Sequence, residues 1–114
     1  MCTQIQLKKI TDEISKNIQN EFGERLNTII LYGSYARGDY NDESDIDIMV
    51  LADLKDDEIY SYRKIVRQIS NNISLEHGTT VSVSLNDKKT FDSRVNILPT
   101  YKNVITEGVN IYGR

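Results

Sequence analysis

The chain of 114 residues has one cysteine, Cys2, one histidine, His77, and no apolar run longer than the five residues Ile48 to Ala52. Each scarcity closes a class of protein. A lone thiol cannot form an internal disulfide, which fits a reducing cytoplasm as the expected location. Five apolar residues fall far short of the roughly 20 that a membrane-spanning helix needs, so no membrane association is expected. The opening residues, MCTQIQLKK, lack the apolar segment of a secretory signal. Basic residues are also outnumbered. With 14 Lys and Arg against 17 Asp and Glu, the net charge of −3 leaves no excess to neutralise phosphates, so direct nucleic-acid binding is not expected.

What is present describes a globular domain. Hydrophobic residues make up 39% and charged residues 27%, enough of the first for one core and enough of the second for a solvated surface. No repeat, linker or low-complexity segment interrupts the chain, so one domain is expected over 1–114. Apolar residues at Leu7, Ile10, Ile14, Ile18 and Phe22 form a helical stripe that ends at Gly23. LNTIILY, Leu26 to Tyr32, reads as a buried strand, and a short helical stretch follows from Ser34 to Gly38. After the polar loop DYNDES, Ile46, Ile48 and Val50 alternate with Asp45, Asp47 and Met49, the pattern of a second strand. Leu54 to Ile73 carries a second helical stripe, and His77-Gly78 is expected as a solvated turn. TVSVSL, Thr80 to Leu85, alternates strictly as a third strand. A polar connection then leads to a helix from Pro99 to Glu107, stopped by Gly108, and VNIY is expected as an edge strand.

The chemistry concentrates in LYGSYARGDYNDESDIDIMV, Leu31 to Val50. Residues two apart on a strand project to the same side, so Asp45 and Asp47 point together, away from Ile46, Ile48 and Val50. Two adjacent carboxylates repel at neutral pH unless a cation lies between them. Oxygen ligands suit a hard ion such as Mg²⁺, or Mn²⁺ in its place. Upstream, Gly33 permits close backbone approach, Ser34 offers a hydroxyl, and a helix start favours an anion. Arg37 can either pair with Asp45 or Asp39 or reach a phosphate. Tyr32 and Tyr62 are assigned to the core, whereas Tyr35 and Tyr40 lie near the site, with packing expected first and stacking on a base second.

Gly33-Ser34, ten residues, then Asp45-Ile46-Asp47 resembles the signature of the DNA polymerase β-like nucleotidyltransferase superfamily. The string GSYARGDYNDESDID is similar to its small stand-alone members, the minimal nucleotidyltransferases. The resemblance implies an α/β (α+β) fold with a short mixed sheet flanked by helices. It implies a Mg²⁺-dependent transfer from ATP or another NTP, with Asp45 and Asp47 as catalytic metal ligands. It sets Gly33, Ser34, Arg37 and Ser44 on the nucleotide. It also implies a partner, a helical HEPN-type toxin that receives AMP, this chain being the antitoxin. No arginine precedes His77 by four to six residues, so the chain does not itself resemble the HEPN protein.

One feature departs from that pattern. The superfamily takes a third carboxylate from a neighbouring strand, where it serves the attacking hydroxyl. Here the polar face of TVSVSL carries Ser82 and Ser84, and Asp87 is expected beyond the strand end. Two further functions therefore stay open beside protein adenylylation. One is a catalytically weak domain that binds nucleotide or a partner and acts by sequestration. The other is transfer to a small molecule, as in aminoglycoside nucleotidyltransferases.

Overall fold

The computed structural model describes residues 3–113, so Cys2 lies outside the described residues. Thr3 caps the first helix, α1 (Gln4–Phe22), its hydroxyl accepting from Gln6 N at 3.1 Å. That cap starts α1 before Leu7, where the apolar stripe begins. A 3₁₀ turn, Gly23–Arg25, leads into β1 (Leu26–Tyr32). Then come α2 (Ser34–Arg37), β2 (Ile46–Ala52), α3 (Asp56–His77) and β3 (Val81–Asp87). The chain closes with α4 (Lys88–Arg94), α5 (Pro99–Glu107) and β4 (Val109–Gly113).

The strands form one mixed sheet in the order β3-β2-β1-β4. β1 pairs antiparallel with β2 and β4, while β2 and β3 run parallel, joined by α3 as the crossover. Ile10, Ile14, Ile18 and Phe22 of α1 pack with Val66 and Ile73 of α3 onto one sheet face, against Ile29, Leu31, Ile46, Ile48, Val50, Val81 and Leu85. The opposite face holds a smaller cluster of Ile30, Met49, Leu51, Phe91 and Val104 under α4 and α5. Strand alternation separates the two sets, and Asp47 belongs with Met49 and Leu51 on the second face.

α3 differs from the stretch expected for it at both ends. Leu54 precedes the helix, buried, with its N–H donated to Asp87 Oδ1 at 3.1 Å. Asp56, Asp57 and Glu58 in the first turn suit the positive end of the helix, and Glu58 also accepts from Lys55 N at 3.1 Å. The helix continues past Ile73 to His77 and ends at Gly78, which adopts a left-handed conformation (φ 64°). His77 is thus a helix residue with its ring mostly buried against Glu13, and not a solvated turn residue.

The polar connection after β3 is also helical. Asp87 caps α4, accepting from Thr90 N at 3.2 Å, and Phe91 fills the second cluster at 1% exposure. A single apolar residue in seven gives no periodicity, so only packing reveals this helix. Phe91→Ala is expected to cost about 3–5 kcal/mol in a urea unfolding titration. A loss near that of an exposed substitution would mean that α4 is not part of the folded unit.

Candidate active site

The site lies where the second sheet face is left open, past the end of the cover given by α4 and α5. β1 delivers Tyr32 opposite Asp47 of β2, and β3 delivers Ser82 beside Asp47 on its other flank. Asp45 is exposed and immediately precedes β2, whereas Asp47 is half-buried within it. At the end of β1 the chain turns at Gly33, with φ 76° and ψ −156°, a backbone state that side chains disfavour. A Cβ at Gly33 would come within 2.5 Å of Asp47 Oδ2. The Asp47 carboxylate therefore rests directly against the backbone of the Gly33-Ser34 turn, as the two-residue strand period requires.

The electrostatics match that geometry. Burial pushes the Asp47 carboxyl up from its ordinary value, and the neighbouring Asp45 charge pushes it further. Arg37 opposes both. Burial likewise pushes the Tyr32 phenol up, a hydrogen bond with Ser84 opposes it, and Asp47 adds to the rise. Two carboxylates of like charge on one face, short of compensating cations, offer an oxygen-only donor set that fits a hard divalent ion.

Other expected residues fall into definite places. Arg37 pairs with Asp39 at 3.1 Å and with Glu107, at the end of α5, at 3.2 Å. Ser44 is held within its loop: its Oγ accepts from Asn41 N at 2.9 Å, and its N–H donates to Asn41 O at 3.1 Å. Tyr35 is buried at 6% exposure and stacks on Tyr40 with centroids 4.3 Å apart, so this pair supports the loop from the core side. Tyr32 is the aromatic residue beside the carboxylates. Counting back by twos from the turn, Tyr32 shares the face of Ile30 and Thr28, and that alternation was the signal for it.

Asp87 does not lie beyond β3 but is its last residue, paired with Ala52 at the far end of the sheet. It is five positions from Ser82, about 16 Å along an extended strand. Its carboxylate is engaged by Leu54 N and Thr90 N, and these bonds hold its pKa below the ordinary value against the opposing effect of burial. It takes no part in the Asp45–Asp47 group. Beside that group, an open cleft of about 410 Å³ runs over β3, lined by Tyr32, Ser84, Asn86, Tyr101, Arg63 and Arg67. Arg63 donates to Leu85 O at 3.2 Å there, and with Arg67, expected on a solvated face of the helix, it lines this cleft.

Residues 7–107 match the family described as "Nucleotidyltransferase domain". The chain belongs to the nucleotidyltransferase family. A Methanocaldococcus jannaschii protein named "Putative protein adenylyltransferase" is 30% identical over 105 residues, covering 92% of this chain and 97% of that protein. Among solved structures, a nucleotidyltransferase from Sulfolobus solfataricus superposes with a TM-score of 0.68 at 25% identity, over 97% of this chain and 84% of that one. A toxin–antitoxin with AMP-PNP shares the fold, with a TM-score of 0.57 at 24% identity, over 91% of this chain and 73% of that one. The small α+β fold with a mixed four-stranded sheet is thus the nucleotidyltransferase fold. Among the described residues, no helix is long and apolar enough to cross a membrane.

Two outcomes follow from the site. Gly33→Ala places a methyl in the Asp47 carboxylate and strains a positive φ, and is expected to cost about 1–3 kcal/mol by urea unfolding. Asp47 titrates in the opposite sense to a salt-bridged acid. Its raised pKa means that, between the ordinary carboxylate range and that raised value, the folded protein keeps a proton which the unfolded chain has released. Its contribution to stability therefore falls as pH rises through that window. In chelator, Asp47→Asn is expected to raise the melting temperature at neutral pH and to flatten this part of the pH profile. An unchanged or lower melting temperature would show that Asp47 is not a repelled carboxylate.

Proposed function

We propose that the domain transfers AMP from ATP to a hydroxyl of a partner protein. The observation that carries this reading is the Asp47 carboxylate, with Asp45 beside it, resting on the Gly33-Ser34 turn in a nucleotidyltransferase fold. The name of the M. jannaschii relative, a protein adenylyltransferase, supports the reaction class. The toxin–antitoxin with AMP-PNP of the same fold supports a toxin as the partner and an antitoxin role for this chain, and the resemblance of GSYARGDYNDESDID to the minimal nucleotidyltransferases makes that toxin a helical one of the HEPN type.

In this reading the triphosphate lies along the Gly33-Ser34 turn, where the missing side chain lets phosphate oxygens approach the backbone. Asp45 and Asp47 would hold Mg²⁺, which supplies positive charge to the phosphates when bound. Arg37 sits on the same side as a second source of positive charge. The partner's hydroxyl oxygen attacks the α-phosphorus and gives up its proton to solvent, the bond to the bridging oxygen breaks, and pyrophosphate leaves. Most of the rate comes from holding these atoms in line. A domain this small shapes little acceptor surface of its own, so the acceptor brings its docking surface with it. The acidic loop with Asp39, Asp42 and Glu43 at the mouth of the site suits a basic groove.

The position opposite Asp47 on β3 is Ser82, and this favours a second reading, in which nucleotide or partner binds without efficient transfer. One experiment separates the two. The chain is incubated with Mg²⁺, ATP and a candidate partner, a helical HEPN-type protein from the same genome, and the partner is weighed by mass spectrometry. Addition of one AMP by the wild type, lost by at least about a hundredfold in Asp45→Asn, supports transfer. A partner that is bound and silenced equally by wild type and Asp45→Asn, with no added mass, supports sequestration. Modification of a small-molecule hydroxyl in place of the partner would overturn both.

A further inference from the structure

Away from the Asp45–Asp47 pair, α1 and α3 bring together three metal-ligating side chains. Glu13 lies on α1, and Glu76 and His77 form the last turn of α3. One ligand atom from each lies within 4.8 Å of the other two. His77 Nε2 is 3.4 Å from Glu13 Oε2 and 3.8 Å from Glu76 Oε1. Glu13 Oε2 and His77 Nε2 are both fully buried atoms, and neither has a hydrogen-bond partner. Burying such atoms without a hydrogen bond is costly, and an ion bound to both would offset that cost.

An imidazolium–carboxylate bond would draw these atoms to about 2.7–2.9 Å in line with the N–H. The observed 3.4 Å between His77 and Glu13 is instead close to the separation of two ligands on a tetrahedral ion with bonds of roughly 2.0–2.1 Å, which is about 3.3 Å, and Glu76, at 3.8 Å from His77, closes on the ion by turning its exposed side chain. A nitrogen ligand beside two carboxylates suits Zn²⁺ better than Mg²⁺, which prefers an all-oxygen octahedron. We propose that Glu13, Glu76 and His77 bind one Zn²⁺ ion, with water completing the tetrahedron. The ion ties α1 to the end of α3. It also steadies the turn beyond His77, because Gly78 leads to Thr80, whose carbonyl accepts from Ile46 N at 3.0 Å, next to Asp45. Gln6 Nε2 already reaches His77 O at 3.3 Å, so the backbone under the site is held.

The test is calorimetry of the whole chain with Zn²⁺ alone, together with melting in the presence and absence of the ion. The expected result is one ion per chain and a higher melting temperature, both kept in Asp45→Asn. His77→Gln and Glu13→Gln are each expected to weaken binding by at least about tenfold. Should His77→Gln fail to fold, Glu76→Gln, which changes only an exposed residue, must still lower the affinity. Co²⁺ in place of Zn²⁺ is expected to give the intense visible absorption of a tetrahedral site. No Zn²⁺ binding, or binding lost in Asp45→Asn and kept in His77→Gln, would overturn the proposal and leave a simple His77–Glu13 ion pair.

Discussion

The absence of a side chain at Gly33 lets the Asp47 carboxylate lie against the backbone where β1 ends. Most of the site follows from that one contact. It fixes the distance between the turn and β2, and it keeps a half-buried charge where burial disfavours it. It also puts an acidic group within reach of anything lying along the turn. A carboxylate in that position is destabilising by itself and becomes favourable once positive charge arrives. A fold that stores this repulsion beside a turn suited to an anion is poised for a ligand carrying both signs of charge, as a metal-bound nucleotide does.

The sheet keeps that position open by covering its two faces unequally. α1 and α3 close the first face along its length with an aliphatic cluster. The short α4 and α5 close the second only around Ile30, Met49 and Leu51. Successive side chains on β2 thus pass from a dry cluster at Leu51 and Met49 to the site at Asp47. The change of environment takes place over a few residues of one strand, which makes the scaffold behind the carboxylates stiff. Asp47 gains positioning from its place within that strand.

The β3 flank sets the character of the site. Ser82 and Ser84 face it where a further acid would sit, while Asp87 is committed to capping α4 and holding Leu54 N. The same flank brings Arg63 and Arg67 to the cleft and sets Tyr32 against Ser84. The neighbourhood is therefore acidic on β2 and basic along the cleft, a polarity that suits a phosphorylated ligand.

The strand Leu26–Tyr32 and the helix Pro99–Glu107 were legible in the sequence, because each rests on a local rule: residue period, a proline start, a glycine stop. Asp45 was read as part of the second strand, whereas β2 begins one residue later, at Ile46. The spacing from Gly33-Ser34 to Asp45-Ile46-Asp47 was equally legible, since it is a property of one continuous segment. What required the tertiary structure has a different physical origin. Phe91 defines α4 only through the cluster it fills, and Tyr32 belongs to the site and Tyr35 to the core because of which sheet face each meets. Asp87 was expected beyond the strand end, yet β3 runs on to include it, and parallel pairing with β2 carries it to the far end of the sheet. Glu13 and His77 are 64 positions apart and meet only because α1 and α3 share a sheet face. Local rules act through the covalent chain and can be read from it. Contacts between distant segments depend on how the elements stack, and that is decided only when the core closes.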